Sequence, residues 1–178
     1  VSGKGIKSSL LMSKASSLYR CLSKTIFSTA ELLKILNDEI CETASRGMFV
    51  TMVVGVYDSN KKELLLSNAG HEHPLIFSKE ETFSNFKEAG PPLGIAPKFK
   101  FKEELISFKE SSMYIFTDGI TEMKDAKGEM LGQEGFQNYI KKYKSVPNSQ
   151  RLNKIIEDLI KSGRVQKDDL TIVTIEGN

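Results

Sequence analysis

The chain has 178 residues and a mass of 19.9 kDa, with 39% hydrophobic and 27% charged residues. That length suits one domain whose core folds without staples, and the composition excludes a mostly disordered chain. Lys+Arg 25 against Asp+Glu 23 leaves +2, which does not point to nucleic acid, and Cys21 and Cys41 form neither a disulfide framework nor a zinc cluster.

After Val1-Ser2-Gly3-Lys4-Gly5, apolar Leu10, Leu11, Ala15, Leu18 and Leu22 recur at helical spacing and predict a helix over Ile6–Ser23 with one buried stripe. Residues 1–30 carry Lys4, Lys7, Lys14, Arg20 and Lys24 with no acid, as an organellar transit peptide would. A glycine turn leading into a basic first helix is the preferred reading. A second helix is expected over Thr29–Ser45, with Ser28 and Glu31 spaced as a capping box and Leu32, Ile35, Leu36 and Ile40 facing inward. Met48–Tyr57, Leu64–Asn68 and Leu75–Ser78 are rich in branched and aromatic residues and predict strands. Asp58-Ser59-Asn60 and Ala69–Pro74 supply the turn and loop between them. Glu80–Ala89 is polar and poorly patterned, and Gly90-Pro91-Pro92-Leu93-Gly94 is unsuited to a regular helix or a central strand. Lys102–Phe108 and Met113–Thr117 read as another pair of strands. Two helices follow, one carrying Phe136, Tyr139, Ile140 and Tyr143, the other Leu152, Ile155, Ile156, Leu159 and Ile160 and closing at Gly163. Leu170–Ile175 reads as a last strand. Hairpin-linked strands with separate helices indicate an α+β fold. No apolar run approaches the ~20 residues a membrane span needs.

Several carboxylates sit where chemistry is possible. Asp118 ends an apolar strand and precedes Gly119, although Asp-Gly taken alone is most often a turn. Asp168-Asp169 precedes the last strand, where a solvated acidic turn is the simpler reading. Strand-edge carboxylates far apart in sequence can converge on a hard cation such as Mg²⁺ or Mn²⁺. Val1–Gly5 has the look of a phosphate-cradling turn before a helix but lacks the GxxxxGK[ST] pattern. His71 and His73 lie two apart without a third zinc ligand nearby, so a loop role is preferred. Neither a GxSxG nucleophile elbow nor a GxGxxG fingerprint occurs.

Taken together, VSGKG, MFVTMVVGVYD, LSNAGHEHPLIF, GPPLGIAP, YIFTDGITEMKDAKGEMLG and KDDLTIVTI, running from Val1 to Ile175, resemble the PPM-type metal-dependent serine/threonine phosphatases. More narrowly they resemble the bacterial SpoIIE-like branch, the sporulation and stress-response phosphatases. The resemblance implies an α-β-β-α sandwich of two mainly antiparallel sheets flanked by helices. It implies two Mn²⁺ or Mg²⁺ ions and a metal-bound water that attacks phosphoserine or phosphothreonine. By the same resemblance Asp118 and Asp168 are metal ligands and catalytic residues, with Asp169 the alternative to Asp168. The backbone carbonyl of Val1 is a further ligand, and Gly3, Thr117, Gly119 and Glu122 support the site from behind.

The family pattern places an aspartate immediately before Val1, with strands and an acidic ligand upstream. Residues 1–178 are therefore expected to be one N-terminally truncated phosphatase domain, weak or inactive by itself. The resemblance further implies a phosphorylated STAS-type anti-anti-sigma regulator as substrate and an upstream sensor or receiver domain. The composition itself leads us to expect a cytoplasmic setting with reduced thiols, no nucleic-acid partner and no membrane segment in these residues. Two rival functions remain open: a catalytically silent scaffold of the same fold, and a metal-dependent phosphoesterase acting on a small molecule.

Overall fold

The computed structural model describes residues 1–43, 47–86, 88–108 and 110–177. Its elements run α1 (Ile6–Leu22), α2 (Thr29–Thr43), β1 (Met52–Asp58), β2 (Glu63–Ala69), β3 (Leu75–Ser78), β4 (Phe83–Asn85), β5 (Ala89–Gly90), β6 (Glu104–Ser107), β7 (Ser111–Phe116), α3 (Asp118–Thr121), α4 (Gly132–Lys142), α5 (Asn148–Lys161) and β8 (Ile172–Glu176). The expected end of α2 at residues 44 and 45 lies outside the described residues. The α+β class holds, with hairpin-linked strands and separate helices. The chain divides into two compact units, the first comprising Val1–His73 and the segment from Phe86, the second Pro74–Asn85 and Glu110–Glu176.

The first unit carries α1, α2 and a mainly antiparallel sheet in which β2 pairs β1 and β6 antiparallel and β5 parallel. Its core gathers Leu11 and Ala15 of α1, Leu33, Leu36 and Ile40 of α2, and Val54 of β1. Two expectations are corrected here. Leu10 is 66% exposed, because the buried stripe of α1 runs through Leu11 and Ala15, and Leu10 lies about 100° around the helix from Leu11. On α2, Leu32, Leu36 and Ile40 face inward as expected, but Leu33 is fully buried and Ile35 only half-buried, so the inner face is shifted toward Leu33. The segment before β1 is not continuous strand: Val50 makes an isolated antiparallel bridge with Leu93, exchanging bonds of 3.0 and 2.8 Å.

The α2 N-terminus also differs from expectation. Ser28 Oγ accepts from the Glu31 N–H at 3.2 Å, which is one half of the capping box. No return bond from the Glu31 side chain is seen among the described residues. Instead the Glu103 carboxylate arrives from elsewhere in the chain, accepting from Ser28 Oγ (3.0 Å), Thr29 Oγ1 (3.2 Å) and the Ala30 N–H (3.2 Å). A carboxylate satisfies orphan donors there and complements the helix dipole. Asn37, fully buried on α2, donates from Nδ2 to the Ala96 carbonyl (2.8 Å) and accepts at Oδ1 from the Gly94 N–H (3.1 Å). It thereby clamps the Gly-Pro-Pro-Leu-Gly loop to the helix.

The second unit holds the sheet β4-β3-β7-β8, antiparallel throughout, and α3, α4 and α5. Leu75, Tyr114, Phe116, Phe136, Ile155 and Leu159 build its core, drawing on both the sheet and the two long helices. Strand β4 falls inside the polar 80–89 stretch that carries no periodic signal, its three residues ordered by pairing with β3. Helix α5 ends at Ser162 with Gly163 at φ 74°, the left-handed C′ position its sequence calls for. Arg151 Nη1 meets Glu176 Oε1 at 2.8 Å, with side chains 12% and 14% exposed, and also reaches Tyr114 Oη at 3.3 Å.

Candidate functional site

The register of β7 on β8 ends at Phe116↔Ile172, and the chain on either side continues into the two acidic motifs. Thr117 extends the ladder with its side chain. Its N–H donates to the Thr171 carbonyl (3.1 Å), its Oγ1 donates to the Asp169 carbonyl (3.2 Å), and the same Oγ1 accepts from the Thr171 N–H (3.1 Å). A hydroxyl both donates and accepts, so threonine can close this junction where valine cannot. Gly119 is buried beside it. A Cβ there would lie 2.4 Å from the Asp169 carbonyl oxygen and 3.4 Å from that of Asp168, so only glycine lets the segments approach this closely.

Asp118 opens α3 directly after Thr117, and its carboxylate is exposed. Its carbonyl accepts from the Glu122 N–H (2.8 Å) and Thr121 Oγ1 (3.2 Å), which closes the short helix. Asp168 and Asp169 are exposed on the loop before β8, and Asp168 Oδ1 accepts the Asp169 N–H at 2.9 Å. Gln166 Nε2 donates to the Asp168 carbonyl at 3.0 Å. None of Asp118, Asp168 and Asp169 forms an ion pair among the described residues. Glu122 caps the C-terminus of α3 and is exposed.

These donors are all oxygens, the preference of Mg²⁺ and Mn²⁺. Among the described residues no group of three or more His, Cys, Asp or Glu side chains gathers in one place. That is compatible with Mg²⁺, which keeps several waters and commonly takes one or two carboxylates.

Val1 and Gly3 stand in the first unit, both exposed. Ser2 fixes this segment: its N–H donates to the Phe49 carbonyl (2.9 Å), its Oγ accepts the Phe49 N–H (2.8 Å), and its carbonyl accepts Ser8 Oγ (3.0 Å). The Asn-Ala-Gly-His loop is built as a turn. Asn68 Oδ1 accepts the His71 N–H (2.8 Å), and its Nδ2 donates to the His71 carbonyl (3.0 Å). Gly70 has φ 67°, and a Cβ there would meet Pro92 at 2.5 Å, so this loop lies directly against the Gly-Pro-Pro-Leu-Gly segment. His71 Nδ1 lies 3.3 Å from Thr51 Oγ1 and His73 Nδ1 2.7 Å from the Phe86 carbonyl, contacts that tie one ring nitrogen of each histidine to residues outside the loop.

Sequence reading did not single out Thr171 or Gln166. Thr171 was legible in principle, since it follows the acidic pair in Asp168-Asp169-Leu170-Thr171, whereas nothing local marks Gln166.

Two sheets and these helices make the fold of the PP2C-type phosphatase domains. A solved structure of the SiaA-PP2C domain of Pseudomonas aeruginosa matches with a TM-score of 0.82 and 16% identity, over 99% of this chain and 73% of that one. The RsbU and RsbW domains of a Mycobacterium tuberculosis protein match with a TM-score of 0.80 and 21% identity, over 98% of this chain and 49% of that one. In sequence, residues 1–178 match the family of Stage II sporulation protein E (SpoIIE), and the chain belongs to that family. The phosphoserine phosphatase RsbU of Bacillus subtilis (strain 168) is 28% identical over 178 residues, 98% of this chain and 53% of the relative, so the chain spans about half of that protein's length. Among the described residues no helix is long and apolar enough to cross a membrane.

Proposed function

We propose that this chain is the phosphatase domain of a protein that removes phosphate from phosphoserine or phosphothreonine in a protein substrate, with Mn²⁺ or Mg²⁺ as cofactor. The observation that carries this reading is the junction of the acidic motifs: Thr117 and Gly119 lock the segments bearing Asp118 and Asp168 together while leaving both residues exposed and, among the described residues, without an ion pair. The family, and a relative that is itself a phosphoserine phosphatase, support the same reaction.

Asp118 and Asp168 would hold the cation, with Asp169 the alternative to Asp168. When bound, a pair of divalent ions supplies a nucleophilic water at neutral pH and neutralises charge on the phosphoryl group. The chain's part is to fix its carboxylates in advance. Thr117 ties the end of β7 to the start of β8, Gly119 allows the approach, and the α3 turn orients Asp118 through the Glu122 and Thr121 bonds. Hydrolysis then needs no protein nucleophile, which agrees with the absence of serine and cysteine signatures in the sequence.

The proposed substrate is a phosphorylated STAS-type regulator in the cytoplasm, and the proposed neighbour in the complete protein is a sensor or receiver domain. The test is phosphate release from a phosphoserine protein by the intact protein in Mn²⁺, compared with Asp118→Asn. The exchange removes the charge from an exposed side chain, so folding should hold while turnover falls by ~100-fold or more. Equal turnover by the variant would remove Asp118 from the site. No turnover by the unaltered protein would favour a silent scaffold.

A further inference from the structure

The loop that carries Asp168 is pinned downstream by Thr117, and the structure shows a second pin upstream. The pieces are Lys124, which bridges antiparallel to both Met130 and Val165, so that three short segments make a small ladder just after α3. Val165 N–H donates to the Lys124 carbonyl at 2.8 Å, and Lys124 N–H donates back to the Val165 carbonyl at 3.3 Å. Arg164 lies across this ladder: Nη1 donates to the carbonyls of Met123 (3.3 Å) and Glu129 (3.2 Å). The Met123 carbonyl also accepts the Leu131 N–H at 2.8 Å, and Met123 is buried in the core of the second unit.

We infer that Arg164 is a positioning residue for Asp168: with Thr117 it suspends residues 166–168 as a short arch between two fixed points, and so sets where the Asp168 carboxylate stands relative to Asp118. The inference rests on the metal-dependent reading above and extends it to a residue that touches neither metal nor phosphate. The physical ground is the length of the arch. Gln166, Lys167 and Asp168 span from the Val165 bridge to the Asp169 carbonyl held by Thr117, and all three are exposed. No buried side chain anchors them, and the bonds among them, Gln166 Nε2 to the Asp168 carbonyl and the Asp169 N–H to Asp168 Oδ1, stay within the loop, so the arch as a whole is placed by its two ends. A guanidinium has donors in a rigid fork and stays charged, which suits it to gathering carbonyls from two segments. Without it the Lys124–Val165 bridge is left as two backbone bonds at the rim of the unit, free to fray.

The test uses the intact protein, Arg164→Ala, Arg164→Lys and a control weakened elsewhere in the same unit, Ile155→Val. Mn²⁺ affinity is read by electron paramagnetic resonance, and backbone hydrogen exchange is read with no metal present. Arg164→Ala should bind Mn²⁺ about 10-fold or more weakly, the usual effect of losing a group that orients a ligand. Its amides from Gln166 to Asp169 should exchange faster, the lysine variant should fall between, and Ile155→Val should bind as the unaltered protein does. Unchanged affinity and exchange in Arg164→Ala overturn the inference. Equal weakening in Ile155→Val also overturns it, since the loss would then be general. Should Arg164→Ala not fold, Arg164→Lys decides by the same two measurements. No Mn²⁺ binding by the unaltered protein refutes the metal reading itself and the inference with it, an outcome distinct from binding that the variant leaves intact.

Discussion

Adding one methyl group at Gly119 tests whether the close approach of the two acidic segments matters. In Gly119→Ala the new Cβ would sit 2.4 Å from the Asp169 carbonyl oxygen and 3.2 Å from its carbonyl carbon. An unstrained C···O contact is about 3.4 Å, so the segments must separate by about 1 Å. Both contacts are backbone, and neither can swing aside as a flexible side chain would. Overpacking of this kind costs about 1–3 kcal/mol. For a domain of this size that lowers the melting temperature by about 2–12 °C. The effect on the site should be larger. Metal ligands tolerate about 0.2 Å of displacement, and a misplacement of about 1 Å can cost ~100-fold in rate. The assay is Mn²⁺-dependent release of phosphate from a phosphoserine protein, run beside thermal denaturation of the same samples. The expected pattern is a modest loss of melting temperature and a disproportionate loss of turnover. A Gly119→Ala protein that melts and turns over as the unaltered one does would refute the reasoning, because the junction would then yield without consequence.

Two further outcomes concern stability. Glu103→Ala strips the α2 N-terminus of an acceptor that serves Ser28, Thr29 and Ala30, and should cost about 1–2 kcal/mol; an unchanged thermal midpoint would show that Ser28 caps the helix unaided. Burial pushes the Glu176 carboxyl up from its ordinary value of 4.5, against the opposing pull of Arg151. A carboxyl raised in the folded state favours folding fully below its unfolded value, and that contribution is lost as pH rises through the raised one. Urea midpoints should therefore fall with rising pH across that window in the unaltered protein and stay flatter in Glu176→Gln; parallel curves would contradict the assignment.

What the sequence made legible was whatever depends on local periodicity or local turn chemistry. Strand β3 falls on Leu75–Ser78 as read, α1 starts at Ile6, and α5 stops where Gly163 allows it. The strand ends at Phe116 and Ile172 bring the Asp118 and Asp168 motifs to one end of a sheet because both follow from apolar runs that had to pair. Distant partners were not legible. Glu103 lies 75 residues from Ser28, and no pattern near Ser28 announces a carboxylate from there. The burial of Leu33 over Ile35 depends on which way α2 rolls onto its sheet, which helical spacing alone leaves open. Strands as short as β4 and β5 carry no signal of their own, since their order comes from β3 and β2. Arg164 has the same history, one basic residue in a charged stretch whose role depends on which carbonyls fold up beneath it.

Asn37 also bears on how the molecule ages. Its amide faces two ways, Nδ2 toward the Ala96 carbonyl at 2.8 Å and Oδ1 toward the Gly94 N–H at 3.1 Å, with the neighbouring Asp38 carboxylate 3.4 Å from Nδ2. Hydrolysis of that amide would put a carboxylate oxygen where the donor stood, against one carbonyl and beside one negative charge, in a position closed to water. Yet the helix that creates this intolerance also prevents the damage. Deamidation proceeds through attack by the following backbone nitrogen on the side-chain carbonyl, and an ordered α-helix withholds the chain geometry that attack requires. The damage can therefore accumulate only in molecules that have opened, and a chain altered while open would be hindered from closing again. Heat or storage should thus be recorded at Asn37 as a one-way loss of refoldable protein, with this amide intact in the native population.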